Sequence, residues 1–324
     1  MALRNIIGHE RPVRILSGTI KRDRVPSSML LSGDSGIGKM LAARSYAKAL
    51  NCLSPIDFDA CDECSSCRKI ESGSHPDITC VLPENDEIKI ESVRQAEEVL
   101  SLKPYEGRLK VLIMDDADMM NINAANAFLK TLEEPPGDSL IILISSNPDR
   151  LPDTIRSRCM HIRFRPLSGE ACKQVLLTKA GGKDIGGFKG LAMGRPGIAI
   201  TKDFAAEQKW FMDILNTISR GETRCSWTDK NDIKKWLDLC TIWLRDIAVF
   251  ASTGRESDLL YSGKHTARNV SAALDAYQRI RKVRGLIDLN LNKSITWNFV
   301  SGIIQDIVAQ PVSGGRSSKA VSEY

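Results

Sequence analysis

The chain has 324 residues, of which 42% are hydrophobic, and a formal net charge of +5 at pH 7. Single hydrophobic cores usually stop growing below this length, so we expect two or three domains, and the mildly basic charge permits a polyanionic partner without requiring one. No long apolar run occurs and charges are frequent from the first residues onward, which excludes a membrane span and a secretory signal and favours a cytoplasmic protein.

From about residue 26 to residue 165, short β-rich runs alternate with helical stretches, which is the pattern of a parallel α/β sheet. Several of the runs are continuously apolar, as expected for strands that helices cover on both faces. The predicted strands are SMLLS (28–32), DITCVL (77–82), LKVLIMD (109–115), SLIILIS (139–145) and CMHIRF (159–164). The predicted helices between them cover residues 38–50, 90–102 and 122–134.

The rest of the chain is predicted to be helical. Residues 167–203 contain a helical pattern and a GRPG turn, and we expect them to form a small helical domain. Residues 204–310 show long helical patterns without a strand run, which indicates an all-α domain. The small, polar residues 311–324 indicate a disordered tail. The α/β domain is therefore expected to cover residues 1–166.

The stretch GDSGIGKM lies between the first predicted strand and helix and has the pattern of a phosphate-binding loop, except at its last position. Gly33, Gly36 and Gly38 allow backbone N–H groups to surround phosphate oxygens, and Lys39 reaches the outer phosphates. Met40 replaces the usual hydroxyl residue, and its thioether is a poor ligand for Mg²⁺. Phosphate binding can survive this change, but turnover should suffer. The sequence leaves binding of ATP with Mg²⁺ an open question.

The apolar run VLIMDDAD (111–118) ends in acidic residues, as in many nucleotide sites. Asp115 is placed to bind magnesium through water. Asp116 stands where an active ATPase usually has Glu, and its side chain is one methylene shorter, which limits its reach to the attacking water. Alternatively, the run is a strand followed by a solvated acidic turn.

Four of the nine cysteines have the spacing of a metal site. They lie within an insert at residues 52–67 and form a closed set of four thiolates, which predicts a structural Zn²⁺ site. Redox thiols or an iron–sulfur cluster are the alternatives. The predicted ligands are Cys52, Cys61, Cys64 and Cys67.

Two polar stretches near the last predicted strand are further candidates. Ser146 or Asn147 follows a strand end and could contact a γ-phosphate. Arg158, on a turn within Ser157-Arg158-Cys159, could stabilise transition-state charge in the site of a neighbouring subunit. An arginine on a turn is otherwise a solvated charge.

Together these motifs resemble the bacterial DNA polymerase III clamp-loader subunits, the AAA+ family shared by the gamma/tau motor subunits and the delta-prime subunit. The resemblance is carried over residues 2–166 by IIGHERPVRILSGTIKRDRVPSSMLLSGDSGIGK, the four-cysteine insert, the acidic strand, NAANAFLKTLEEPP (123–136) and the S-R-C turn. Met40 and the Asp115-Asp116 pair favour the delta-prime type, whose phosphate loop is often degenerate.

The resemblance implies an AAA+ domain, a small helical lid and an all-α collar. It implies a subunit with little or no ATPase activity, within a DNA-directed DNA polymerase (nucleotidyltransferase) holoenzyme. Its partners would be the motor subunits and delta in a hetero-pentamer, with the sliding clamp and primer–template DNA engaged through the complex. Arg158 would act in trans. The alternatives are an ATP-hydrolysing gamma/tau-like motor and, less favoured, a helicase-like ring former.

Overall fold

The computed structural model describes residues 1–179, 194–197, 204–221, 230–255, 269–286 and 292–309. The chain divides into two compact units, one formed by residues 1–181 and 194–200 and the other by residues 182–193 and 201–324. The predicted tail and most of the segment between residues 180 and 203 lie outside the described residues.

The first unit contains a five-stranded parallel sheet with the strand order β2-β3-β4-β1-β5. All five predicted strands are confirmed, with ends that differ by at most one residue from the predicted ones. The strands are β1 (Ser28–Ser32), β2 (Ile78–Val81), β3 (Lys110–Met114), β4 (Ser139–Ser145) and β5 (Met160–Arg163).

The three central strands β1, β3 and β4 are buried along their whole length, whereas the edge strands are partly exposed. Central strands need apolar residues on both faces, which explains their continuous apolar sequences. Leu30 of β1 pairs with Leu143 of β4, and Leu143 also pairs with Met114 of β3. This register aligns the carboxyl ends of the central strands at one edge of the sheet.

Helices surround the sheet within the first unit. On one side α4 and α5 contact each other and bury Val93, Ala96, Phe128 and Leu132 in the main apolar cluster. On the other side α2 contacts the central strands. The helices are α1 (Glu10–Lys21), α2 (Lys39–Leu50), α3 (Ser65–Ser72), α4 (Ile90–Ser101), α5 (Ile122–Glu133), α6 (Asp153–Arg156) and α7 (Gly169–Lys179).

Three of these helices were not among the predicted elements: α1, α3 and the single turn α6. Helix α1 buries only Pro12 and Leu16, so its apolar stripe is short, although Pro12 in the first turn is compatible with a helix. Helix α3 begins where the Cys64 thiol accepts a hydrogen bond from the Cys67 N–H, and it ends at Gly73 with a φ of 77°. Its boundaries therefore depend on the cysteine insert rather than on an apolar period.

The described residues of the second unit are helical, as predicted for residues 204–310. Trp236 and Trp297 pack with their ring centroids 5.6 Å apart, and both are buried. The helices are α8 (Phe204–Ser219), α9 (Lys230–Thr253), α10 (Val270–Leu286) and α11 (Lys293–Ala309). The expected class is confirmed: a parallel α/β sheet followed by an all-helical part. None of the described helices has both the length and the apolar character that crossing a membrane requires.

Candidate functional site

The predicted phosphate loop joins β1 to α2 and takes backbone conformations that require glycine. Gly33 has a φ of 143°, and a Cβ there would meet the Phe164 carbonyl oxygen at 2.5 Å. Gly38 has a φ of 102° and precedes the first residue of α2, where its carbonyl accepts a hydrogen bond from the Ala42 N–H at 3.0 Å. Gly36 is also left-handed, with a φ of 77°. The loop thus curls at the amino terminus of α2, the helix end that favours anions.

Lys39 is turned back onto its own loop. Its ammonium donates hydrogen bonds to the carbonyl oxygens of Gly33 and Asp34, the latter at 2.8 Å, and to Ser146 Oγ at 3.2 Å. Burial lowers the pKa of Lys39, while nearby carboxylates, those of Asp115 and Asp116 first among them, oppose the shift. The Lys39 ammonium is therefore engaged by protein oxygens in the position from which it would reach a phosphate.

The acidic residues after β3 lie against this lysine. Asp115 receives a backbone hydrogen bond from the Asp116 N–H at 3.1 Å, and Asp116 has a left-handed φ of 44°. Burial, and after it repulsion from the Asp116 carboxylate, raises the pKa of Asp115. Burial, followed by the Asp118 carboxylate, raises the pKa of Asp116. A cation would relieve both carboxylates, as expected of a metal-binding edge.

Sequence analysis did not single out Asp118, which joins the acidic turn to the next strand. Its carboxylate accepts a hydrogen bond from the Ser146 N–H at 3.1 Å, just beyond β4. Of the two predicted phosphate sensors, Ser146 lies at the site and Asn147 does not line it. Because the hydrogen bond between Ser146 and Asp118 joins residues 28 positions apart, no local sequence signal reveals it.

A cavity of about 480 Å³ opens above the loop, within the size range of small-molecule sites. Lys39, Met40, Asp115, Asp116 and Ser146 contribute to its lining. Its other walls are largely apolar, a suitable surface for a planar base. The apolar lining includes Ile6, Ile7, Ile144, Leu167, Val175 and Pro196.

The amino-terminal segment and the GRPG turn (194–197) form part of the wall of this cavity. His9 Nε2 lies 2.7 Å from the Ile37 carbonyl oxygen, and its ring packs edge-on against Phe164 with centroids 4.9 Å apart. The Gly197 N–H donates to the Gly36 carbonyl oxygen at 2.8 Å. Pro196 and Gly197, the last two residues of this turn, line the cavity.

The four predicted cysteine ligands converge. Their Sγ atoms all lie within 4.8 Å of one another, with 4.0 Å between Cys52 and Cys64 and 3.9 Å between Cys61 and Cys67. A tetrahedron of sulfurs at about 2.3 Å from a central Zn²⁺ has edges of roughly 3.8 Å. The cluster therefore has the donor set and nearly the spacing that a tetrahedral metal ion requires, and it could bind one.

Backbone N–H groups point at the same sulfurs. Cys61 N–H donates to Cys52 Sγ at 3.3 Å, Cys64 N–H to Cys61 Sγ at 3.3 Å, and Cys67 N–H to Cys64 Sγ at 3.4 Å. Such donors stabilise thiolate charge and orient metal ligands. The Asp59 carboxylate also fixes the insert to the start of the chain by accepting from the Leu3 N–H at 3.1 Å.

Arg158 lies on the turn between α6 and β5 and does not line the described cavity. Its Nη1 donates to the Thr154 carbonyl oxygen at 2.8 Å, and its Nη2 donates to Glu133 Oε1. Cys159 packs against the main apolar cluster, and burial raises its pKa to about 11. The S-R-C turn thus packs its cysteine against the core and leaves the arginine side chain one-third exposed.

Residues 8–168 match the protein family described as DNA polymerase III, delta subunit. The delta-prime subunit of Bacillus subtilis is 39% identical over 169 residues, 52% of this chain and 51% of that protein. The delta-prime subunit of Pseudomonas aeruginosa is 41% identical over 153 residues, 47% of this chain and 46% of that one. A tau/gamma subunit of Haemophilus influenzae is 34% identical over 172 residues, 53% of this chain and 25% of its own length.

The chain spans about half the length of these delta-prime relatives. The residues that match the family, 8–168, contain the sheet, the phosphate loop, the cysteine cluster and the S-R-C turn. Over residues 8–168 the chain is therefore similar to the DNA polymerase III delta-subunit family, and the delta-prime subunits among its relatives support the delta-prime type that the motifs predict.

Proposed function

We propose that the chain is a delta-prime-like stator of the clamp loader, which does not itself hydrolyse ATP and supplies Arg158 in trans to an adjacent motor subunit. The observation that carries this proposal is Met40. Its side chain lines the cavity beside Lys39, where a hydroxyl would otherwise hold the magnesium ion. The acidic residues Asp115 and Asp116 remain, but the oxygen that completes the metal site is replaced by a soft thioether.

The balance of charges in the pocket supports the proposed loss of ATP hydrolysis. Four carboxylates act on the Lys39 ammonium, those of Asp115, Asp116, Asp118 and Asp34. Without a firmly held Mg²⁺, a triphosphate would bring more negative charge toward these groups, and only Lys39 and the loop N–H groups would offset it. Because phosphoryl transfer depends on metal and cationic groups that neutralise developing charge, the pocket should hydrolyse ATP poorly at best.

Arg158 is the group that this chain offers to another site. Its side chain is one-third exposed, it is separate from the residues that line the chain's own cavity, and Cys159 fixes the turn that carries it. A guanidinium presents planar N–H donors that match phosphate oxygens, which is the role of an arginine finger. We infer that Arg158 contacts the γ-phosphate bound by the neighbouring motor subunit.

The proposed partners follow from the family. The chain would sit in a hetero-pentamer with gamma/tau motor subunits and delta, joined through the helices of residues 204–310 as a collar. ATP bound by the motor subunits would let the complex open the sliding clamp and place it on primer–template DNA. In this arrangement the chain contributes a rigid surface and one arginine, and it needs no catalytic cycle of its own.

We further propose that Cys52, Cys61, Cys64 and Cys67 hold a structural Zn²⁺. Four thiolates leave no open position for water or substrate, so the ion would act on stability rather than on chemistry. When bound, Zn²⁺ would cross-link the end of α2 to the start of α3 and order the insert between them. The backbone donors on the sulfurs support this donor set over an incidental group of thiols.

The test uses complexes in which only the motor subunit adjacent to this chain keeps a functional phosphate loop. Loss of an arginine finger costs about 10³- to 10⁵-fold in kcat, so Arg158→Ala should nearly abolish ATP hydrolysis and clamp loading on primed DNA. Arg156→Ala is the matched control, because Arg156 pairs with Asp149 and Asp153 in its own segment. Unchanged hydrolysis with Arg158→Ala would refute the trans role.

A second candidate is an ATP-hydrolysing gamma/tau-like motor. One observation favours it: the loop carries Lys39, and a cavity of about 480 Å³ lies above it. The isolated chain distinguishes the two. A stator shows no Mg²⁺-dependent hydrolysis above background, whereas a motor hydrolyses ATP in a reaction that Lys39→Ala abolishes.

A further inference from the structure

The guanidinium of Arg158 is held by two different elements. Nη1 donates to the Thr154 carbonyl oxygen in α6 at 2.8 Å, and Nη2 pairs with the carboxylate of Glu133, the last residue of α5. One contact is local, four residues away, whereas the other spans 25 residues. The position of the arginine therefore depends on where α5 ends relative to the S-R-C turn.

The hydrophobic core fixes the position of the end of α5 relative to the S-R-C turn. Phe128 and Leu132 of α5 are buried in the main apolar cluster, and Cys159, next to Arg158, packs against the same cluster. Glu133 follows Leu132 directly, so its backbone is anchored while half of its side chain remains exposed. Side chains in a close-packed core have little room to move. Glu133 and Arg158 consequently meet at a defined place on the surface.

The two contacts leave donors for a ligand. A guanidinium has five N–H donors, and the described contacts of Arg158 use two of them, one on Nη1 and one on Nη2. The remaining donors suit phosphate oxygens. An exposed arginine–carboxylate pair is weak, so it would not compete strongly with a triphosphate, yet it can favour one rotamer of a long side chain.

We propose that Glu133 is a positioning residue for Arg158: its carboxylate holds the guanidinium in the orientation from which the free N–H donors meet the γ-phosphate in the neighbouring subunit. This inference rests on the proposed trans role of Arg158. The ion pair with Glu133 restricts the rotamers of Arg158 before it contacts the phosphate, so less side-chain entropy is lost on contact. This is the advantage of preorganised catalytic groups.

The experiment again uses complexes in which only the adjacent motor subunit is competent. Misplacement of a positioned group by about 1 Å can cost up to roughly 100-fold, and for a single exposed anchor we expect Glu133→Ala to lower kcat about 10-fold, with KM for ATP unchanged. Glu133→Gln, which keeps an acceptor oxygen for Nη2, should recover most of the rate. Glu134→Ala is the control, since Glu134 is the adjacent exposed glutamate. Thermal unfolding of the isolated variants should match the parent chain.

A double-mutant cycle separates positioning from a general structural effect. If Glu133 acts through Arg158, Glu133→Ala should cause no further loss in the Arg158→Ala background. A further loss in that background, or a full rate with Glu133→Ala alone, would overturn the inference while leaving the arginine finger intact. A full rate with Arg158→Ala would instead remove the proposed function on which the inference rests.

Discussion

The Lys39 ammonium donates a hydrogen bond to the Asp34 carbonyl oxygen at 2.8 Å within the same loop. The lysine that would contact a bound phosphate is thus held by the backbone of the loop that would surround this phosphate. A nucleotide has to replace these contacts, and the strength with which it does so depends on how much of its charge a metal ion neutralises. We expect Met40, whose thioether is a poor Mg²⁺ ligand, to limit such neutralisation.

Substitution Met40→Thr should restore Mg²⁺-dependent nucleotide binding. The hydroxyl supplies the oxygen ligand that the thioether lacks, and one good metal ligand should tighten the Kd for ATP with Mg²⁺ by about 10-fold or more. Isothermal titration with and without Mg²⁺ measures the change. Met212→Thr, at an exposed position of α8, should leave binding unchanged. An equal gain without Mg²⁺ would contradict the metal-ligand explanation.

Turnover should need a second change. Asp116 has a left-handed backbone and a side chain one methylene shorter than Glu. We therefore expect little ATP hydrolysis from Met40→Thr alone and measurable hydrolysis by the isolated chain only when it is combined with Asp116→Glu. Steady-state phosphate release from the single and double variants tests this order. Full activity of the single variant would show that the phosphate loop was the only defect.

Much of this site could be predicted from sequence because its parts are local. The central strands are continuous apolar runs, the phosphate loop is an unbroken pattern that ends at Lys39, and three of the four cysteines lie within seven residues. Each of these signals depends on neighbours in the chain. The five strands and the convergence of the cysteines follow from them directly.

The contacts that complete the site could not be predicted because they join distant segments. Asp118 holds the Ser146 N–H, His9 meets the Ile37 carbonyl oxygen, and Gly197 donates to Gly36. None of these pairs leaves a periodic or spacing signal. The Glu133–Arg158 pair is similar, since only the packing of α5 against the core brings the two residues together.

The cysteine cluster should contribute strongly to stability through its metal. We expect one equivalent of Zn²⁺ in the purified chain, and its loss in Cys64→Ser should lower the free energy of unfolding by several kcal/mol, because structural zinc contributes on the order of 10 kcal/mol to small modules. Ser can replace the Cys64 thiol as the N-cap acceptor of α3, so the loss reports on the metal ligand.

Elemental analysis and thermal unfolding measure this effect. Cys80→Ser is the matched control, since Cys80 is exposed and outside the cluster, and it should change neither the zinc content nor the Tm. A metal-free parent chain with the same Tm before and after chelation would contradict the proposal.

Gly33→Ala should destabilise the first unit. Its φ of 143° is unfavourable for a residue with a Cβ, and the added carbon would meet the Phe164 carbonyl oxygen at 2.5 Å, a backbone atom that cannot move alone. We expect a loss of about 2 kcal/mol or more in the free energy of unfolding, measured by urea denaturation. Gly18→Ala, in open space within α1, should instead stabilise by up to about 1 kcal/mol.

Asp116→Asn should stabilise the chain near neutral pH, and the gain should shrink on acidification. Burial, followed by the Asp118 carboxylate, raises the pKa of Asp116 above its ordinary value of 3.8, so the folded state binds this proton more tightly than the unfolded state. The charged carboxylate consequently lowers stability as the pH rises from 3.8 through the folded-state pKa, and the penalty is complete above it.

Asparagine removes that penalty and tolerates the left-handed φ of 44° at this position, so the backbone adds no cost. Thermal unfolding of the parent chain and the variant between pH 4 and pH 7 should give Tm curves that converge at the acidic end. Asp213→Asn, at an exposed position of α8, should give parallel curves. Because Lys39 offsets part of the repulsion, an Asp116→Asn variant that is less stable than the parent chain near pH 7 and approaches it on acidification would mean that the lysine, rather than the neighbouring carboxylates, dominates the electrostatics of this edge.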